Sequence, residues 1–215
     1  QVYDFFVDND KNIIGIFDGK LSKIVYYNFE LEPLHQKKIH FRFSNIKRFS
    51  NGNFLTSVNG SDNSHIAEID RDEVLLLDSN LNFIQKGFKL SKDEIKNNYT
   101  LIDHLHQNND SCIVWVPKFK NSIFKFNKDG YVEQNYKISF KKREVPSEFY
   151  LTSTDKLDKI AKERQLYYYS GHYEENDNTI FMRIASPRSK NIISIFVDKA
   201  NNEYVYGQIK MDNLD

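Results

Sequence analysis

One pattern recurs four times along the chain: an apolar strand, a turn rich in Asn and Asp, a second apolar strand, another such turn, and a third strand. The third strands start near Ile24, Val74, Ile123 and Ile193. The first three starts lie about fifty residues apart, a spacing typical of stacked repeat units. A period of this kind restricts the chain to architectures in which one small sheet is repeated.

Each unit can be traced from its residues. The first, about 3–41, has Tyr3–Asp8, the turn Asn9–Asn12, Ile13–Asp18, Lys23–Phe29 and a more polar His35–Phe41, as suits an outer edge strand. The second, about 43–90, has Phe43–Phe49, the hairpin turn Ser50–Asn53, Phe54–Val58, Glu73–Asp78 and Phe83–Leu90. The third, about 101–140, has Leu101–His106, the turn Gln107–Asp110, Cys112–Val116, Ser122–Phe126 and Val132–Phe140. The fourth, about 166–210, has Leu166–His172, the turn Glu174–Asn178, Thr179–Ala185, Asn191–Val197 and Tyr204–Lys210.

The longer last spacing comes from an insert around Pro146–Gln165. Within it, Thr154–Arg164 reads as one short helix. Thr154 is the N-cap, Asp155 and Asp158 lie in the first turn, and Lys162 and Arg164 in the last, all matching the helix dipole.

Val74-Leu75-Leu76-Leu77 and Ile13-Ile14-Gly15-Ile16 are apolar on both faces. A strand of that type is stable only when both faces are covered. Consecutive sheets packed face to face achieve this, and bending the stack into a ring gives a β-propeller. The expected fold is therefore an all-β propeller forming a single domain over 1–215. A β-sandwich or a barrel is the competing arrangement. The 13 Tyr and 17 Phe suit half-buried pleated surfaces.

Charge is balanced, with 30 Lys+Arg against 30 Asp+Glu, so the one-signed footprint of a nucleic-acid binder is missing. Lys141-Lys142-Arg143 is followed at once by Glu144 and reads as a solvated face. The lone Cys112 sits in an apolar run and reads as a buried small hydrophobe. No stretch of 18 apolar residues marks a transmembrane helix. The chain opens at Gln1 in strand-like sequence without an initiator Met, so it reads as processed, truncated or partly built, which leaves room for a lost targeting segment.

The ordered set Tyr3–Asp8 to Asp18-Gly19, Lys23–Asn28, Phe49-Ser50-Asn51-Gly52-Asn53-Phe54-Leu55 and Ser122–Gly130 resembles a family of six-bladed β-propeller proteins from Bacteroides and its relatives. Each motif is an ordinary hairpin turn; their order carries the resemblance, which spans nearly the whole chain. It implies export, often as a lipoprotein, and a place in the periplasm or at the outer membrane. Four units are visible where six close the ring, so it also implies blades beyond one or both ends. It supplies no catalytic motif and no cofactor.

Candidate ligand-binding residues follow from position. His104 and His106 share one face of a strand, and if that strand is innermost they point at the channel. Two His at that spacing could share a metal, but a third ligand is not evident; packing between blades is the plainer reading. Tyr167, Tyr169 and His172 lie on a predicted inner strand, where aromatic rings stack on a sugar or on neighbouring blades. Asp8–Asn12 superficially resembles a calcium loop but lacks its Gly and distal Glu. No nucleophile elbow, phosphate loop, dinucleotide motif, zinc helix or paired-cysteine motif is present. The expected function is a non-enzymatic binding or scaffold module for a protein, peptide or glycan. The alternative is a carbohydrate hydrolase or lyase at the channel mouth.

Overall fold

The computed structural model describes residues 2–58, 63, 65–66, 69, 72–89, 104–109, 111–117, 122–144, 154–166, 168–185 and 192–208. Four antiparallel four-stranded meanders follow one another. The first is β1 (Val2–Asp8), β2 (Ile13–Asp18), β3 (Lys23–Asn28) and β4 (Pro33–Lys38). The second is β5 (Asn45–Arg48), β6 (Phe54–Ser57), β7 (Val74–Leu77) and β8 (Phe83–Gly87). The third is β9 (His104–Asn109), β10 (Cys112–Val116), β11 (Ser122–Asn127) and β12 (Val132–Lys137). The fourth is β13 (Tyr168–Glu175), β14 (Thr179–Ala185), β15 (Ile192–Asp198) and β16 (Glu203–Gln208). The helix α1 runs over Thr154–Arg164, the residues expected of it.

Stacking follows from the two-faced strands. Leu75 and Leu77 of β7 join Phe17, Ile24, Phe43 and Phe54 in the core between the first two sheets. Their neighbours Val74 and Leu76 join Leu105, Ile113 and Trp115 in the core between the second and third. On β10, Ile113 and Trp115 serve that core, whereas Cys112, Val114 and Val116 pack with Tyr173, Met182 and Ile184 of the fourth sheet. Period-two alternation thus sends successive residues of one strand into different interfaces. Burying one such Leu or Ile stabilises the fold by about 1.5–3 kcal/mol.

First strands adjoin first strands: β1 lies beside β5, β5 beside β9, and β9 beside β13. They are therefore the innermost strands of a radial array. Polar side chains stitch them together. Asp4 accepts hydrogen bonds from the Ile46 amide (2.9 Å) and from Lys47 (2.7 Å). Gln107 donates to the Arg48 carbonyl at 3.0 Å. Fourth strands face solvent; β4, β8 and β12 are almost wholly exposed.

Two expectations about β9 and β13 need correction. Gln107, Asn108 and Asn109 belong to β9 rather than to a turn, because a bulge opposite Cys112 and Ile113 absorbs Asn108 and lets the strand continue. Glu174 and Glu175 likewise remain in β13, paired with Phe181 and Ile180. The expected start of the third unit at 101–103 lies outside the described residues. The outward faces of the first and fourth sheets keep apolar exposure, at Phe5 and Val7 on one and Phe196 and Val205 on the other.

Candidate functional site

Of the expected site residues, His106 and His172 have described side chains, and these two do not face each other. His106 lies opposite Val114, on the face of β9 that turns towards the fourth sheet, with its ring 5.8 Å from that of Tyr173. His172 is the neighbour of Tyr173 and so occupies the other face of β13. There it pairs with Glu174 at 3.1 Å and meets Phe181 edge-on at 5.1 Å. The fourth sheet therefore stands between His106 and His172. His104 opens β9 opposite Val116, and Tyr169 lies on β13 opposite Ile184; the side chains of both are outside the described residues. Tyr167 is outside them altogether.

The strands instead create two polar clusters where they reach the face bearing the β1–β2 and β3–β4 turns. Between the first two sheets, Asp8 ends β1 and Arg48 ends β5. Their side chains form an ion pair at 2.7 Å and are only 5% and 12% exposed. The pair sits in a cleft of about 190 Å³ that also takes in Lys11, Tyr26, His35 and Lys37. Tyr26 and His35 stack at 4.3 Å, and burial pushes the Tyr26 hydroxyl above its ordinary value against the pull of Arg48. Lys37 is held by the Asn80 carbonyl across the interface. A Tyr, a His and an Arg thus meet in one cleft. Its volume falls below the roughly 300–1,000 Å³ of small-molecule sites, and its guanidinium is already engaged by Asp8.

Between the third and fourth sheets, Glu175 is the centre. Its carboxylate accepts hydrogen bonds from Lys199 at 2.8 Å and the Tyr173 hydroxyl at 3.1 Å, with Lys125 at 3.4 Å and Tyr136 at 3.5 Å. Burial works to raise the Glu175 pKa. The Lys199 hydrogen bond, the Lys125 charge and the Tyr173 hydroxyl outweigh it and hold the acid below its ordinary range. The same burial, reinforced by the Glu175 charge, drives the Tyr173 hydroxyl far up and keeps it neutral. This cluster had a signal in the sequence. Period-two alternation from Tyr173 puts Glu175 on the same face, but its place in an acidic, turn-like stretch reads as solvated.

Four radial meanders with polar ties at the inner strands match the family DUF5128, a 6-bladed beta-propeller, over residues 1–213. The chain belongs to this six-bladed β-propeller family. Among solved structures, the propeller resembles a candidate exported protein of Bacteroides fragilis, with a TM-score of 0.77 and 18% identity over 97% of this chain and 58% of that one. It also resembles BamB from Moraxella catarrhalis, with a TM-score of 0.56 and 8% identity over 96% of this chain and 53% of that one. A protein of unknown function from Bacteroides caccae gives 0.53 and 12% over 97% and 66%. The chain spans less than two thirds of each of these proteins. No curated protein matches it by sequence.

The lone thiol of this propeller is a buried group. Cys112 is buried, and burial pushes its pKa up to about 11, with the Glu175 and Glu133 charges adding to the effect and Lys125 opposing it. Among the described residues, no group of three or more His, Cys, Asp or Glu side chains is placed to hold a metal ion, and no helix is long and apolar enough to cross a membrane.

Proposed function

We propose that this propeller is a non-catalytic binding or scaffold module of the bacterial cell envelope. It engages a protein, peptide or glycan on the face that carries the β1–β2 and β3–β4 turns. The observation that carries this reading is the state of three inner-strand acids. Asp4 is tied to Lys47, Asp8 to Arg48, and Glu175 to Lys125 and Lys199. Glycoside hydrolysis in its usual form takes two carboxylates with different proton occupancy facing one substrate. Carboxylates fixed in ion pairs between sheets hold the blades together instead. The likeness to a candidate exported protein supports the extracytoplasmic location.

In the longer ring, the apolar faces at Phe5 and Phe196 are seats for two further sheets. Mass spectrometry of the mature native protein tests that part; a product no longer than 215 residues contradicts it.

Titration of the chain against a panel of envelope glycans and acidic or neutral peptides tests the binding role. At least one ligand is expected to bind at micromolar concentration, to weaken about tenfold in a His35→Ala/Lys37→Ala variant, and to be recovered intact. Turnover of any panel member, or no binding at all, overturns the proposal.

A further inference from the structure

The hairpin turn between β5 and β6 contains the dipeptide Asn51-Gly52. In that pair a backbone nitrogen meets little hindrance to attack on the preceding side chain, because glycine has no Cβ and asparagine carries a labile amide. The Gly52 nitrogen gives its proton to solvent base and bonds to the Asn51 Cγ atom. The Cγ–Nδ2 bond breaks, and Nδ2 leaves as ammonia after taking a proton from water. Water then opens the five-membered imide at one of its two carbonyls, leaving aspartate or isoaspartate at position 51.

The native turn holds both reacting groups in other bonds. The Gly52 amide donates to the Phe49 carbonyl at 3.0 Å. The Asn51 Nδ2 atom donates to the Lys128 carbonyl in a turn of the third sheet at 2.7 Å, and its Oδ1 accepts the Asn53 amide at 3.0 Å. Phe49, which anchors the turn, is fully buried in the core between the second and third sheets. Asn51 itself is exposed, so water and base reach it.

We propose that Asn51 is a site of spontaneous deamidation, gated by the stacking of the third sheet on the second. While the sheets are stacked, nucleophile and leaving group stay engaged. Local opening of that interface releases both. The product cannot restore the tie, because a carboxylate sets an oxygen against the Lys128 carbonyl where the amide set a donor. The modification is thus a one-way mark of an interface that has opened. It does not depend on the binding role proposed for the turn-bearing face.

The test is incubation of the 215-residue chain in mildly alkaline buffer, native and in urea, followed by tandem mass spectrometry of its peptides. The reaction must be assigned by residue, since Asn59-Gly60 repeats the dipeptide and lies outside the described residues. Asn51 is expected to react at least about tenfold more slowly in the native chain than in urea. Gly130→Ala, which crowds Leu76 across the same interface, is expected to speed the native reaction at least about threefold. Ile24→Ala, in the core between the first two sheets, is expected to leave it within about twofold of wild type. If that variant does not fold, Ile24→Val takes its place. Asn51→Asp, which stands for one product, is expected to lower the urea midpoint. Equal rates in the native and urea-unfolded chain overturn the proposal. So does equal acceleration by the Gly130 and Ile24 variants, or an unchanged midpoint for Asn51→Asp.

Discussion

Leu76 of the second sheet lies against Gly130 in a turn of the third. A methyl group added at Gly130 would stand 2.5 Å from the Leu76 Cδ2 atom. That closeness decides the residue in a turn that occurs three times among the described residues. At Asn28–Glu32, Asp78–Asn82 and Asn127–Tyr131, the first residue's amide donates to the last residue's carbonyl, its own carbonyl accepts from the fourth residue's amide, and its side-chain oxygen accepts the last residue's amide. The fourth position of each turn has positive φ, and it holds Leu31 (63°), Leu81 (63°) and Gly130 (81°). Glycine appears where the neighbouring sheet also leaves no room for a side chain.

Leu31 is 65% exposed and gains little from its side chain, yet it holds the left-handed conformation. That strain costs about 1–3 kcal/mol, against about 0.5–1 kcal/mol for the extra freedom of an unfolded glycine. Leu31→Gly is expected to stabilise the chain by about 0.5–1 kcal/mol, read as a higher urea midpoint. A lower midpoint would contradict the turn assignment.

Glu175 has a lowered pKa because Lys199, Lys125 and Tyr173 outweigh the effect of its burial. A depressed folded pKa gives stability that is present above the unfolded value of 4.5 and lost as pH falls through the folded one. Wild type is expected to lose more stability than Glu175→Gln between about pH 6 and about pH 3. At neutral pH the variant is expected to be about 2 kcal/mol less stable, because it leaves two lysines facing a neutral amide. Parallel pH profiles would dissolve the ion-pair cluster.

Cys112 behaves in the opposite sense. The unfolded thiol ionises near 9.0, the folded one only near about 11. Between these values protons leave the unfolded chain alone, so stability falls as pH rises. Iodoacetamide is expected to label Cys112 only after denaturation, and Cys112→Ala to flatten the alkaline decline. Rapid labelling of the native chain would show the thiol to be exposed.

The elements themselves were legible. Val74–Leu77 declares two buried faces by having no polar residue on either, and Asn and Asp mark the turns by capping their own backbone. The limits of β9 were not, because a bulge lets Gln107–Asn109 remain in a strand while their composition reads as turn. Nor were the directions of side chains on inner strands. Alternation groups His104 with His106 and separates His172 from Tyr173, but only the neighbouring sheet fixes which face meets it. The Asp8–Arg48 pair was invisible for the same reason, since it joins residues of different repeats.

Sheets that face one another across the array require Leu76 and Gly130 to be energetically coupled although they belong to different repeats. A double-mutant cycle on Gly130→Ala and Leu76→Ala measures that coupling by urea denaturation. Gly130→Ala is expected to cost about 2–4 kcal/mol in the wild type and at least about 1 kcal/mol less once Leu76 is truncated. Strictly additive losses would contradict the stacking of the second sheet on the third.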